Sequence, residues 1–158
     1  MKIFPFFPAL LLLLTNCTFA TEVKTCNHEP NAFHCVKYIR NYDADTITVS
    51  IDNTHPLIGD KIGVRVRGVD SPEIKGNLPC EKETARTAKR LIENILSNGK
   101  RIDLENVGRD KYFRILADVK VDNVDLKDIL LKNKLAYAYD GGTKEHRNWC
   151  PRQPAGKK

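Results

Sequence analysis

Residues 64–73 hold side chains that could act together on a phosphate ester. Arg65 carries a planar guanidinium that can donate two parallel hydrogen bonds to a phosphate and does not lose its charge. Asp70 and Glu73 follow closely along the chain, and their carboxylates would repel a phosphate unless a hard cation lay between them. The combination predicts metal-assisted phosphodiester chemistry, although the same charges also fit an edge strand with solvated side chains.

A strand and a tight turn must position these groups. Apolar residues recur at every second position over 62–66, which predicts a strand with one buried row. Pro72 has no backbone donor, so the strand must end there. A preceding strand is predicted over 46–51, and Asp45 shares the parity of its apolar row. A carboxylate at that position either caps a turn or binds a cation.

The other elements complete a small mixed fold. Apolar spacing of three and four residues predicts an amphipathic helix over 79–98, with Pro79 in its first turn and Gly99 as its stop. A loop is predicted over 53–59, further strands over 35–40, 100–105 and 115–121, and a short helix over 126–131. Five or six short strands with two to three helices predict an α+β fold, a five-stranded β-barrel of the OB type.

Composition bounds the class of protein. The chain has 158 residues, of which 41% are hydrophobic and 29% charged, values that exclude a disordered or fibrous chain and fit a single domain over 21–158. A formal net charge of +6 is compatible with a polyanionic partner. No internal repeat, glycine-rich phosphate loop or Gly-x-Ser-x-Gly elbow is present.

The first twenty residues have the pattern of an export signal. Lys2 precedes an apolar run that reaches Leu14, and Ala20 offers a small residue for cleavage. The run is too short to span a bilayer comfortably. We therefore expect residues 1–20 to be a signal peptide and the mature chain to be periplasmic or secreted. The alternative is a lipoprotein anchored through Cys17.

Four cysteines remain after that segment, and four allow three connectivities. An even number in an exported chain predicts two disulfides. We favour Cys26–Cys35, which closes a short N-terminal loop, and Cys80–Cys150, which ties the C-terminal tail to the body. The alternative for the first pair is a metal site that also uses the neighbouring imidazoles of His28 and His34.

The chain's resemblance to a known family depends on three charged segments that occur in order. These segments are 43–46, then 65 with 70–73, and then 110–114. The chain resembles the staphylococcal nuclease family over roughly residues 36–139. The resemblance implies a Ca²⁺ site made of the carboxylates of Asp45 and Asp70 and the backbone carbonyl of Ser71, with Asp43 nearby. Oxygen ligands of this kind suit Ca²⁺.

The same resemblance implies the remaining roles. Glu73 would activate the attacking water, and Arg65 and Arg114 would hold the phosphate, with Lys111 and Tyr112 as further substrate contacts. Two features depart from the family. Phe113 stands where the family often has glycine. Because phenylalanine resists backbone conformations that glycine permits, this residue affects the orientation of the Arg114 side chain. Tyr137 and Tyr139 lie out of register with the family's base-stacking tyrosines, and we interpret them as core residues.

The resulting hypothesis is a Ca²⁺-dependent endonuclease of low sequence specificity that acts on DNA and RNA and leaves 3′-phosphates. The alternative is a non-catalytic OB-fold protein that binds nucleic acid. No protein partner is implied, and we expect a monomer without a transmembrane segment in its mature form.

Overall fold

A curled β-sheet, a small two-stranded sheet and three helices make up the part of the protein that the structure describes. The computed structural model describes residues 26–76, 78–144 and 147–150, so the predicted signal peptide and Cys17 lie outside the described residues. Within those ranges the elements are β1 (Lys37–Asn41), β2 (Thr46–Ser50), α1 (Pro56–Gly59), β3 (Ile62–Val66), β4 (Val69–Asp70), α2 (Pro79–Asn98), β5 (Ile102–Arg109), β6 (Ile115–Val121), β7 (Val124–Asp125), α3 (Leu126–Lys132) and β8 (Tyr137–Ala138).

The main sheet is mixed and runs in the order β1-β2-β3-β6-β5, with β7 paired to β6. The pairing of β3 with β6 is parallel, and the other pairings are antiparallel. Beyond the N-terminal end of β1, Phe33 and Leu104 exchange backbone hydrogen bonds of 2.8 Å, and the Val36 N–H donates to the Ile102 carbonyl at 2.9 Å. The two ends of the sheet are thereby joined. The predicted α+β fold of the OB type is confirmed.

The core follows the periodicities of the sequence. Ile47 and Val49 of β2 and Val64 of β3 are fully buried, as the alternation predicts. Helix α2 has the predicted bounds and buries Ala88 and Ile92 among other residues of one face, with which it packs against β1. Among the described residues, no helix has the length and apolar character needed to cross a membrane.

A second sheet of two short strands lies beside the candidate site. Strand β4 pairs antiparallel with β8, which sets Asp70 opposite Tyr137. The Tyr139 N–H also donates to the Gly68 carbonyl at 3.0 Å. The chain after α3 therefore returns to the segment that carries the predicted carboxylates.

Several boundaries differ from the sequence prediction. Strand β1 is shifted by two residues at its start, and β5 extends to Arg109 where the prediction ended at 105. The register of β5 against β6 shifts between Glu105 and Gly108, and such an irregularity hides the alternation. The predicted loop over 53–59 contains α1, whose first turn is capped by the His55 side chain accepting from the Leu57 N–H.

Both favoured disulfides are present. Cys26 pairs with Cys35 and Cys80 with Cys150, with Cα–Cα distances of 5.4 and 5.2 Å. The alternative metal site is wrong because its two thiols are bonded to each other. Its imidazole at position 28 instead lies 2.7 Å from the Asp52 carbonyl through Nε2.

Candidate active site

Arg65 connects the carboxylates that the sequence singled out. It lies on β3 opposite Thr46 of β2, and its side chain is largely buried. One guanidinium nitrogen donates to Asp45 Oδ1, while the other donates to the Val69 carbonyl at 2.9 Å and to Asp70 Oδ1 at 3.3 Å. Two acids, one just before β2 and one in β4, therefore meet at one guanidinium.

Asp45 is the buried centre of this cluster, with 1% of the residue exposed. Its Oδ2 accepts from the Ser71 N–H at 2.7 Å, and its Oδ1 accepts from the Thr46 hydroxyl at 3.2 Å. A buried carboxylate needs such partners because its desolvation is costly. The bond from Ser71 fixes the turn after β4, so the Ser71 backbone lies beside Asp45.

Arg114 reaches the same cluster from the loop between β5 and β6. Its Nε donates to Asp110 Oδ2 at 2.7 Å, and a terminal nitrogen lies 3.4 Å from the Thr46 hydroxyl. Its stem crosses Gly63, where an added Cβ would lie 3.1 Å from Arg114 Cγ. Because Gly63 and Arg65 share one face of β3, the two arginines lie on the same side of the sheet.

Glu73 stands at the solvent edge of the site and is 67% exposed at its side chain. It is joined to the cluster by Lys144, whose Nζ lies 3.4 Å from Glu73 Oε1 and 2.7 Å from Asp70 Oδ1. Burial acts to lower the pKa of Lys144, but the hydrogen bond to Asp70 and the two acidic charges outweigh it and raise that pKa. Lys144 is not among the residues predicted from the sequence, where its only signal is the basic character of the chain after Gly141.

Two carboxylates lie close together on the buried side of the site. Asp43 Oδ1 accepts from the Asp45 N–H at 3.2 Å. Burial, and then the neighbouring charge of Asp45, raises the pKa of Asp43 to about 7, although Arg65 acts in the opposite direction. Burial and a like charge both disfavour the ionised form of a carboxylate, which accounts for the direction of this shift.

The residues present fit a hard divalent cation. Within the described ranges no three His, Cys, Asp or Glu side chains form a metal cluster, but the predicted ligand set needs only Asp45, Asp70 and a backbone carbonyl. The Ser71 hydroxyl is buried beside them and has no hydrogen-bond partner among the described residues. These oxygen groups suit Ca²⁺, although Arg65 and Lys144 already pair with the two carboxylates.

A cavity of about 560 Å³ adjoins the cluster and is lined in part by Asp70, Lys144, Tyr137 and Tyr139. The interpretation of these tyrosines as core residues is wrong. Tyr137 is 38% exposed because β8 pairs with β4 at the edge of the fold. Its ring centre lies 4.6 Å from that of Trp149, so the chain beside Cys150 packs against Tyr137.

Lys111 and Tyr112 lie in the exposed loop before Arg114, and Tyr112 is 75% exposed. The Arg114 guanidinium carbon lies 5.3 Å from the centre of the Tyr112 ring. Burial acts to raise the pKa of Asp110, but the Lys111 N–H and Arg114 outweigh it and lower that pKa. Asp110, which had no predicted role, is thus the anchor that orients Arg114.

Comparisons with known proteins show the family to which the chain belongs. The family model described as staphylococcal nuclease homologue matches residues 63–151. Over 111 residues, 66% of the chain, it is 35% identical to Endonuclease YncB and 33% identical to SPbeta prophage-derived endonuclease YokF, both of Bacillus subtilis strain 168. These matches cover 49% and 35% of the two relatives, so the chain spans half of their length or less.

A probable staphylococcal-like nuclease CAN2 of Oryza sativa subsp. japonica is 24% identical over 119 residues. The family model's match over 63–151 includes the turn at 70–73, the loop at 110–114 and the strand β8. The chain belongs to the staphylococcal nuclease family, which generally uses Ca²⁺.

Proposed function

We propose that this protein is a Ca²⁺-dependent endonuclease that hydrolyses DNA and RNA with low sequence specificity and leaves 3′-phosphates. The observation that supports it most is the cluster in which Arg65 bridges Asp45 and Asp70 while Arg114 reaches the same face through Thr46. Family membership and the endonuclease names of two relatives support the same reaction class.

The two arginines would bind the scissile phosphate. In-line attack increases negative charge on the equatorial oxygens, and guanidinium groups held in place stabilise that charge. Arg65 is held by Asp45 and Asp70, and Arg114 by Asp110, so ion pairs within the site orient both guanidinium groups. When bound between Asp45, Asp70 and the Ser71 carbonyl, Ca²⁺ would neutralise and polarise the phosphate.

Glu73 would act as the general base. Its exposed carboxylate can accept a proton from a water as that water's oxygen attacks phosphorus. The new P–O bond forms as the bond to the 5′ oxygen breaks, and the leaving oxygen takes up a proton from solvent. The products are a 3′-phosphate and a free 5′-hydroxyl. Lys111 and Tyr112 would contact neighbouring substrate phosphates from the loop that carries Arg114.

The alternative of a non-catalytic OB-fold nucleic-acid-binding protein has less support. Such a protein has no use for buried acids next to the phosphate site, because they repel the ligand. Here Asp45 is buried at the centre of the cluster and holds both Arg65 and Ser71. A binding protein would be expected to retain the arginines without this acid.

Hydrolysis of single-stranded DNA by the full chain tests the proposal. We expect activity with Ca²⁺, its loss on chelation, and a fall of about 10²-fold or more in kcat for Glu73→Gln, the lower range for a general base. Glu83→Gln is the matched control, because Glu83 is an exposed residue of α2 that pairs only with arginines of its own helix. Activity that survives the chelator, or an active Glu73→Gln, would refute the mechanism.

We also propose that the protein is exported, with residues 1–20 removed as a signal peptide. Two disulfides are compatible with an oxidising compartment. Mass spectrometry of the mature N-terminus is expected to show cleavage after Ala20. A lipidated Cys17 at the N-terminus would support anchoring instead.

A further inference from the structure

Phe113 combines an unusual backbone with an exposed ring. Its φ is +54°, in the left-handed region that favours glycine, and it is the only aromatic among the described residues at positive φ. Its ring is 55% exposed, so burial in the core does not explain why a phenylalanine stands there. Unfavourable backbone conformations of this kind concentrate at functional sites.

The ring forms part of a recess on the protein surface. The recess has a volume of about 230 Å³, and beside Phe113 its lining includes the apolar residues Phe33, Ile58, Ile62, Val107 and Ile115. Two guanidinium groups border it. Arg109 lies 5.8 Å from the centre of the Phe113 ring, and Arg114 lines the recess directly.

Arg114 connects this recess to the candidate active site. It contacts Asp110 and Thr46 with its guanidinium while its side chain lines the recess. The recess and the cavity beside Tyr137 have no lining residue in common. A polynucleotide whose phosphate lies at the two arginines would therefore find two separate depressions nearby, each with an aromatic side chain in its lining.

We propose that the recess of Phe113 is a subsite for one nucleobase of a single-stranded substrate, next to the phosphate held by Arg114. This inference rests on the proposed function. A nucleobase offers flat apolar faces that stack on an aromatic ring without regard to sequence, and cations at the rim match the adjoining phosphates. A base within a duplex is already stacked and paired, so the subsite favours single strands.

A substrate with a single phosphodiester bond tests the subsite, because that bond can be cleaved only when its two nucleosides occupy defined positions on either side of the site. We would compare the thymidine dinucleotide TpT with two analogues in which either the 5′ or the 3′ nucleoside is abasic, measuring kcat/KM with the full chain and Ca²⁺. Phe113→Ala is expected to lower kcat/KM for TpT by about 5- to 100-fold, the range for loss of one stacked base. The variant should show no further loss on the one analogue that lacks the stacked base.

Three further variants separate the ring from the backbone and from the fold. Phe113→Gly accommodates the positive φ but lacks the ring, and it should lose as much activity as Phe113→Ala, whereas Phe113→Tyr should retain it. Leu57→Ala is the matched control, because Leu57 is an exposed apolar residue of α1 at 66% exposure that does not line the recess; its kcat/KM should be unchanged.

The outcomes separate failure of this inference from failure of the proposed function. If the unmodified protein cleaves neither TpT nor longer single-stranded DNA, the proposed function fails. If it cleaves TpT but Phe113→Ala loses activity equally on all three substrates, the ring acts by positioning Arg114 and the subsite is refuted. An unchanged kcat/KM of Phe113→Ala for TpT would also overturn the subsite. So would the finding that the unmodified protein is a dimer and that Phe113→Ala is a monomer with undiminished cleavage.

Discussion

Lys144 is the side chain whose position has the most direct consequence for metal binding. Its Nζ lies 2.7 Å from Asp70 Oδ1 and 3.4 Å from Glu73 Oε1, so a positive charge already stands beside a proposed ligand. A divalent cation must displace this charge or tolerate its repulsion. Lys144 would then weaken the affinity of the site for Ca²⁺.

We expect Lys144→Met to bind Ca²⁺ about fivefold more tightly, corresponding to about 1 kcal/mol for a partly exposed ion pair. Isothermal titration calorimetry of the metal with the full chain would measure the change. Lys37→Met is the matched control, because Lys37 pairs with Asp52 at 2.6 Å away from these ligands. Weaker binding by Lys144→Met would show instead that the lysine holds the carboxylates in place.

Phe113 carries a cost to stability that glycine would relieve. A non-glycine residue in the left-handed region costs about 1–2 kcal/mol, and Phe113 has a φ of +54°. Phe113→Gly should raise the free energy of unfolding by about 1 kcal/mol in urea denaturation. Asn53→Gly, at a φ of +55°, is the comparison and should gain less, because asparagine tolerates this region. Equal gains at both positions would contradict the argument.

At the scale of elements, one carboxylate of β5 anchors the segment before β1. Asp103 accepts from the Cys35 N–H at 2.9 Å and from Arg101 Nε at 2.7 Å. Burial acts to raise the pKa of Asp103, but these hydrogen bonds outweigh it and lower that pKa below its usual value. The ionised form is therefore favoured by folding, and its contribution is lost as the pH falls through the lowered pKa.

We expect Asp103→Asn to reduce the free energy of unfolding by about 1–3 kcal/mol near pH 7, the range for hydrogen bonds to charged groups. The difference from the unmodified protein should shrink below about pH 4, the usual pKa of an aspartate. Denaturant unfolding across pH 3 to 7 measures this difference in the free energy of unfolding. Asp52→Asn is the control, because Asp52 is an exposed aspartate. A difference that stays constant with pH would show that the carboxylate charge is not involved.

At the scale of the whole molecule, the two disulfides constrain very different lengths of chain. Cys80 and Cys150 are separated by 70 residues, and Cys26 and Cys35 by 9. On the chain-entropy account, the longer loop stabilises the fold by about 4 kcal/mol and the shorter by about 2.5 kcal/mol. The longer disulfide also holds the segment of Trp149, which packs on Tyr137 beside the cavity.

Replacing both Cys80 and Cys150 by serine should therefore destabilise the protein more than replacing both Cys26 and Cys35. Thermal unfolding of the two double variants measures the difference under identical conditions. The variant without Cys80 and Cys150 should also expose Tyr137, because Trp149 would no longer be held against it. Trp149 is the only tryptophan of the chain, so a change in tryptophan fluorescence would detect this loss of contact. A larger loss for Cys26 and Cys35 would show that the short loop is supported by contacts and not by chain entropy.

The elements that sequence alone predicted are those with a strict period. Helix α2 has the predicted bounds because its apolar residues recur at spacings of three and four, and because Pro79 and Gly99 mark its start and its end. Strand β6 was equally clear from its alternation. Strand β5 was predicted too short since its register shifts between Glu105 and Gly108, and α1 was missed because four residues contain too little periodicity to recognise.

For the candidate site, the sequence by itself determined the residue types, which are acids and arginines in three segments, and it favoured one of three possible pairings of the four cysteines. Only the tertiary structure decided that Arg65 lies between Asp45 and Asp70, that Arg114 reaches Thr46, and that Lys144 returns beside Asp70. These contacts join residues from 5 to 74 positions apart. Local periodicity carries no information about such distances, because strand pairing and disulfide closure set them.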